Sequence, residues 1–139
     1  MPTAQVLSPI LAQYNMSICG GWFSGLLLDG SIEVEKDRIA AQMDFFKECD
    51  APCIVYGETS RSVQGFRNIP LNQKPKLSDD EMKTYARKMT EFAEWCTNKG
   101  MPISYHHHMA AVIETEKELD AFMNHSGEAL QLLYDTGHM

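Results

Sequence analysis

The chain has 139 residues, about one domain by length, and its 44% apolar and 22% charged residues are those of a globular protein. A net charge of -7 argues against nucleic acid or an anionic membrane as partner, because both need a basic patch. No apolar run approaches the ~20 residues of a membrane span, and Met1-Pro2-Thr3-Ala4-Gln5 has neither the basic region nor the apolar core of a secretory signal.

In chain order, residues 4–14 read as a short helix broken by Pro9. Residues 17–22 form a short apolar strand. Residues 32–49 form a helix on the spacing of Ile32, Ile39, Met43 and Phe46. Residues 52–56 are a β-branched buried strand, followed by a long loop from about Gly57 to Leu77. Ser78 with Glu81 is a capping box opening a helix that runs to Asn98, stopped by Lys99-Gly100. A strand over residues 101–105 follows. Thr115 with Glu118 caps a helix to Asn124, and residues 130–134 form the last strand. Cys19, Cys49, Cys53 and Cys96 read as buried free thiols in a reducing cytoplasm; a zinc site from Cys49 and Cys53 lacks the usual paired spacing.

Strands alternating with helices imply βαβ units, a parallel sheet and right-handed crossovers. The sequence has no dinucleotide-binding glycine fingerprint and no P-loop. A barrel with chemistry at the strand ends is therefore the better α/β choice. A complete (β/α)8 barrel takes about 250 residues, and this chain supplies about four βα units. The expectation is one domain, 1–139, that is part of a longer barrel; the rival is a small open sheet complete in itself.

Four of the five histidines lie in two stretches that each close an apolar strand: Tyr105-His106-His107-His108-Met109 and Asp135-Thr136-Gly137-His138. Strand alternation points His106 and His108 one way and His107 the other. A carboxylate among imidazoles suits Mn²⁺, Co²⁺, Fe²⁺ or Zn²⁺ better than Ca²⁺. Asp135 would emerge at the sheet edge, and Gly137 would allow a tight turn bringing His138 back over the site; the plainer reading makes Asp135 a helix N-cap. Glu58 and Arg61 follow the second strand, placed to bind a polyhydroxylated substrate or transfer a proton, or to form a surface ion pair. Gly20-Gly21-Trp22-Phe23-Ser24-Gly25 would wall a sugar-sized pocket or simply pack.

Taken together, Gly21-Trp22-Phe23-Ser24, Tyr56-Gly57-Glu58, Arg61-Ser62-Val63-Gln64-Gly65, the triple histidine, Glu114-Thr115 and Leu133-Tyr134-Asp135-Thr136-Gly137-His138 resemble the inosose dehydratase family. The likeness runs in order over nearly the whole chain. It implies a partial TIM barrel of the xylose-isomerase-like superfamily, roughly strands three to six, with further metal ligands on later strands. It implies a hydro-lyase of myo-inositol catabolism that removes water from 2-keto-myo-inositol (scyllo-inosose), a cyclic polyol ketone, to give a diketo-deoxy-inositol. Mn²⁺ or Co²⁺ is the implied metal, and the family is also described as using glutathione. Where the family continues with Gly-Thr, this chain has Ala110-Ala111.

On this reading Asp135 and His108 hold the metal. His106, His108, His138 and Glu58 serve catalysis, while Trp22, Arg61, Gln64 and His107 contact substrate. The alternatives are a sugar isomerase or epimerase of the same superfamily and a non-catalytic half barrel. The unpaired edges of an unclosed sheet favour a homo-oligomer.

Overall fold

The computed structural model describes residues 2–138. Its elements are α1 (Ala4–Gln13), β1 (Trp22–Gly25), α2 (Ile32–Glu48), β2 (Ile54–Glu58), α3 (Asp79–Asn98), β3 (Ile103–His106), α4 (Glu116–His125) and β4 (Gln131–Leu133). All four strands are parallel, in the order β1-β2-β3-β4, as successive βα units dictate.

Both capping boxes form: Ser78 with Glu81 opens α3, and Thr115 with Glu118 opens α4. Gly100 supplies the left-handed residue after α3, at φ 80°. Helix α2 buries Glu35, Ile39, Met43 and Phe46, and α3 buries Met82, Tyr85, Met89, Phe92 and Cys96, one stripe each at helical spacing.

Three expectations shift. Helix α1 runs unbroken through Pro9; the Gln5 carbonyl that a proline cannot satisfy belongs to an exposed residue, so water can take it. Strand β1 starts at Trp22, not Ser17, because the ladder begins where the Gly21 carbonyl accepts the Val55 N–H at 2.9 Å. Trp22 thus opens its strand rather than closing it. Of the thiols, only Cys96 is buried; Cys19 is exposed and Cys49 and Cys53 are half-buried.

Register decides what each face carries. Phe23, Tyr56, Tyr105 and Leu132 lie side by side and face the helices. Tyr56 meets Phe92 at 5.7 Å between ring centroids, Tyr105 meets Phe122 at 4.6 Å, and Arg38 of α2 lies over Phe23. Each buried ring removes about 150–250 Å² from water, so this layer carries much of the stability. The next row, Ser24, Gly57, His106 and Leu133, points to the opposite face. That face stays open: Trp22 is 44% exposed, and Ser24 and Gln131 are exposed. Of the polar residues at its C-terminal end, Asp135 and His138 are half-buried and His106 is buried.

The long loop after β2 is tied down by Lys74. Its buried ammonium donates to both carboxylate oxygens of Glu118 at 2.8 Å. Burial raises the Glu118 pKa, but hydrogen bonds from Lys74 and from the Thr115 and Glu114 amides outweigh it and leave the carboxyl below its usual range. A depressed carboxyl stabilises the fold above its unfolded pKa and loses that contribution as pH falls through the folded value. Lys74→Met is thus expected to cost about 2 kcal/mol at neutral pH. The gap from wild type should close as pH drops below 4.5, the ordinary value for this carboxyl. Denaturant unfolding across that range checks it; a gap that stays constant with pH would contradict the ion-pair account.

Candidate metal and substrate site

The C-terminal ends of β3 and β4 bring His106, Asp135 and His138 together on the open face. His106 Nε2 lies 3.1 Å and His138 Nε2 3.6 Å from the same oxygen, Asp135 Oδ2. Among the described residues this is the one group of three His, Cys, Asp or Glu side chains whose ligand atoms all lie within 4.8 Å of one another. Two ligands of one first-row ion are at most ~4.2 Å apart, so a small contraction closes the group around an ion. The donor set, two imidazole nitrogens and one carboxylate oxygen, suits a borderline divalent cation.

Each member is placed by a local rule. His106 is the last ladder residue of β3, opposite Leu133. Asp135 starts a 3-10 turn, Thr136–His138, and its Oδ1 accepts the Gly137 N–H at 2.8 Å. The expected N-cap behaviour and the site role thus use different oxygens of one carboxylate. Gly137 does not supply a left-handed turn. A Cβ there would come 3.1 Å from Asp135 Oδ1, so glycine leaves room for the carboxylate to fold back.

The electrostatics keep the acid charged and favour the neutral form of His138. A hydrogen bond from His106, then the Gly137 amide, holds the Asp135 carboxyl below its usual range. Burial, then the neighbouring His108, lowers His138. Neutral imidazoles are the form that ligates metal.

His108 stands beside this group. Its ring lies 3.9 Å from that of His138. Its Nδ1 donates to the Met109 carbonyl at 2.9 Å, which leaves Nε2 as an acceptor 3.3 Å from the Gln64 amide nitrogen. The third member of the cluster is therefore His138, with His108 alongside it. Trp22 closes one side, its indole 5.4 Å from the His106 ring and 6.1 Å from the His108 ring. It lies across Gly57, where a Cβ would come 1.8 Å from the indole; only glycine at Gly57 lets the tryptophan reach the histidines.

Three predicted residues lie apart from the cluster. Glu58 is 3% exposed and accepts from the Leu28 and Ser60 amides and from Tyr85 Oη. Strand β2 runs two residues further than expected, and the period of two puts Glu58 on the helix face with Tyr56. Arg61, at φ 60°, pairs with Asp29 and Glu81, tying the loops after β1 and β2 to the start of α3. His107 is fully buried on the opposite face from His106, its Nε2 accepting the Asp135 N–H at 3.1 Å.

Sequence reasoning missed the contacts that hold this geometry. Glu35, 1% exposed, accepts from Tyr56 Oη and the Leu26 amide. Lys88 Nζ donates to the carbonyls of Leu27, Leu28 and Gly30. Both anchor the loop after β1. Glu35 falls on the apolar stripe of α2, and that break in the pattern was the available signal. Ala110 takes φ 63° and is buried; its carbonyl accepts the Val63 amide. A left-handed alanine costs about 1–2 kcal/mol relative to glycine.

No protein-family model matches the chain. It is 35% identical over 133 residues to an inosose dehydratase of Yersinia enterocolitica and 36% identical over 133 residues to one of Serratia proteamaculans, covering 96% of this chain in each case. It is 31% identical over 132 residues to a rhizopine catabolism protein of Rhizobium meliloti. The chain spans about half the length of these curated relatives, 45% of each dehydratase and 41% of the rhizopine protein. A solved xylose isomerase-like TIM barrel protein from Mycobacterium smegmatis, in complex with magnesium, superposes with a TM-score of 0.65 at 15% identity, covering 99% of this chain and 48% of that one. The fold is thus that of about half a xylose isomerase-like TIM barrel.

Proposed function

We propose that this chain carries part of the active site of an inosose dehydratase-like hydro-lyase. The observation that carries the reading is the His106–Asp135–His138 group on the open face at the strand ends, in a chain similar to inosose dehydratases along 96% of its length. The proposed substrate is a cyclic polyol ketone such as scyllo-inosose. The group would hold a divalent cation, Mn²⁺ or Co²⁺, with the remaining ligands coming from barrel strands outside this half. When bound, the metal supplies Lewis acidity at a carbonyl oxygen.

Dehydration of a β-hydroxy ketone removes a proton from the carbon next to the carbonyl and expels hydroxide from the carbon beyond, to which a proton is delivered. The resulting enol becomes the dione by proton shift, so one water is lost and no oxidant is needed. His108 is the proposed base: its Nδ1–H is committed to the Met109 carbonyl, so Nε2 presents a lone pair. Gln64, which now meets that nitrogen, would exchange it for a substrate hydroxyl. His138 would help hold the cation with His106 and Asp135, and the proton that His108 takes up is the one the leaving hydroxide needs. Trp22 offers an apolar wall against a ring face of the substrate. Glu58 and Arg61 act by holding the loops after β1 and β2, and His107 by holding the end of β4.

Mass-resolved assay of scyllo-inosose with Mn²⁺ or Co²⁺, using the chain extended through the rest of a barrel, tests the reading. The expected product is lighter than the substrate by one water, and chelator abolishes its formation. A product of unchanged mass would make the protein an isomerase or epimerase. No conversion by the extended protein would leave this chain as a non-catalytic part of its barrel.

A further inference from the structure

We infer that His107 is a positioning residue that aims the Asp135 carboxylate between His106 and His138 without reaching the open face; as far as metal is concerned, this rests on the reading above. The β3–β4 ladder ends at the pair His106–Leu133, two residues short of Asp135. A backbone N–H beyond a strand end still needs an acceptor once removed from water. The Asp135 N–H finds it in a side chain, His107 Nε2 at 3.1 Å. His107 is fully buried and its ring lies against Tyr134, 5.5 Å between centroids, so the acceptor is fixed in place. With the Asp135 backbone held from below and Oδ1 taken by the Gly137 amide, Oδ2 is left facing His106 and His138. The imidazole accepts through Nε2, so its proton sits on Nδ1.

A side chain of similar size with no acceptor frees the Asp135 amide. One that restores an acceptor near the Nε2 position keeps it. His107→Leu and His107→Gln are that pair, since the glutamine amide oxygen reaches where Nε2 stands.

Two readouts are taken on the full chain: amide exchange of Asp135 by NMR without metal, and Co²⁺ affinity from visible absorption. In His107→Leu, protection of the Asp135 amide should fall to that of neighbouring turn residues and the Co²⁺ dissociation constant should rise about 10–100-fold. His107→Gln should stay within a few-fold of wild type in both. Unchanged protection and affinity in His107→Leu would overturn the inference, as would His107→Gln losing both while melting like wild type. If His107→Leu does not fold, the wild-type ¹⁵N shifts of His107 decide: a protonated Nε2 overturns it. Should neither this chain nor the version extended through the rest of the barrel bind Co²⁺, the metal reading fails and the Asp135 amide alone judges His107.

Discussion

Asp135→Asn is expected to weaken Co²⁺ binding by more than about 100-fold, a loss beyond that of an outer-shell change, while leaving the fold intact. The asparagine side-chain oxygen can still accept the Gly137 amide, as Asp135 Oδ1 does at 2.8 Å, and the backbone N–H can still donate to His107. What disappears is the negative charge, the one anionic donor in the cluster. That charge is present at neutral pH, because His106 and the Gly137 amide hold the carboxyl below its usual range. A near-isosteric change at this half-buried position should move stability by no more than about 0.5 kcal/mol. Cobalt titration with a parallel melting curve checks both halves. Equal cobalt affinity in the variant would remove Asp135 from the site.

The second large effect is expected at Glu58, and it is on stability. Glu58→Leu strips the acceptor from the Leu28 and Ser60 amides and from Tyr85 Oη. Each buried donor left without a partner costs about 1–3 kcal/mol, and the total should reach about 3–5 kcal/mol, a shift of the melting point by roughly 10–15 °C. Glu58→Gln keeps one acceptor oxygen and should lose less than half of that. Cobalt affinity in Glu58→Gln should stay within a few-fold of wild type. A stable Glu58→Gln protein with abolished turnover in the extended barrel would instead give Glu58 a chemical role.

What the sequence showed plainly was whatever depends on local rules. The capping boxes at Ser78 and Thr115 and the stripes of α2 and α3 fall where expected. The opposite facing of His106 and His107 follows from strand alternation alone. The misses depend on register. Strand β1 begins at Trp22 because of the Gly21–Val55 hydrogen bond, a pairing across 34 residues that no local window contains. Glu58 looked like a loop acid because the apolar run ends at Tyr56; pairing with Gly25 carries the strand two residues further and turns the acid toward the helices. The sequence points to His108 as a metal ligand; in the structure Gln64, arriving from another loop, meets its Nε2, and it is the His138 ring nitrogen that lies with His106 and the Asp135 carboxylate.

The half-barrel fold and the similarity to inosose dehydratases meet at one place, the space between His106, Asp135 and His138. A crystal grown with Mn²⁺ and measured for anomalous scattering tests that meeting point most directly. The account predicts one peak bonded to His106 Nε2, Asp135 Oδ2 and His138 Nε2, with His108 outside its coordination. A peak bonded through His108 in place of His138, or seated elsewhere on the chain, would contradict it.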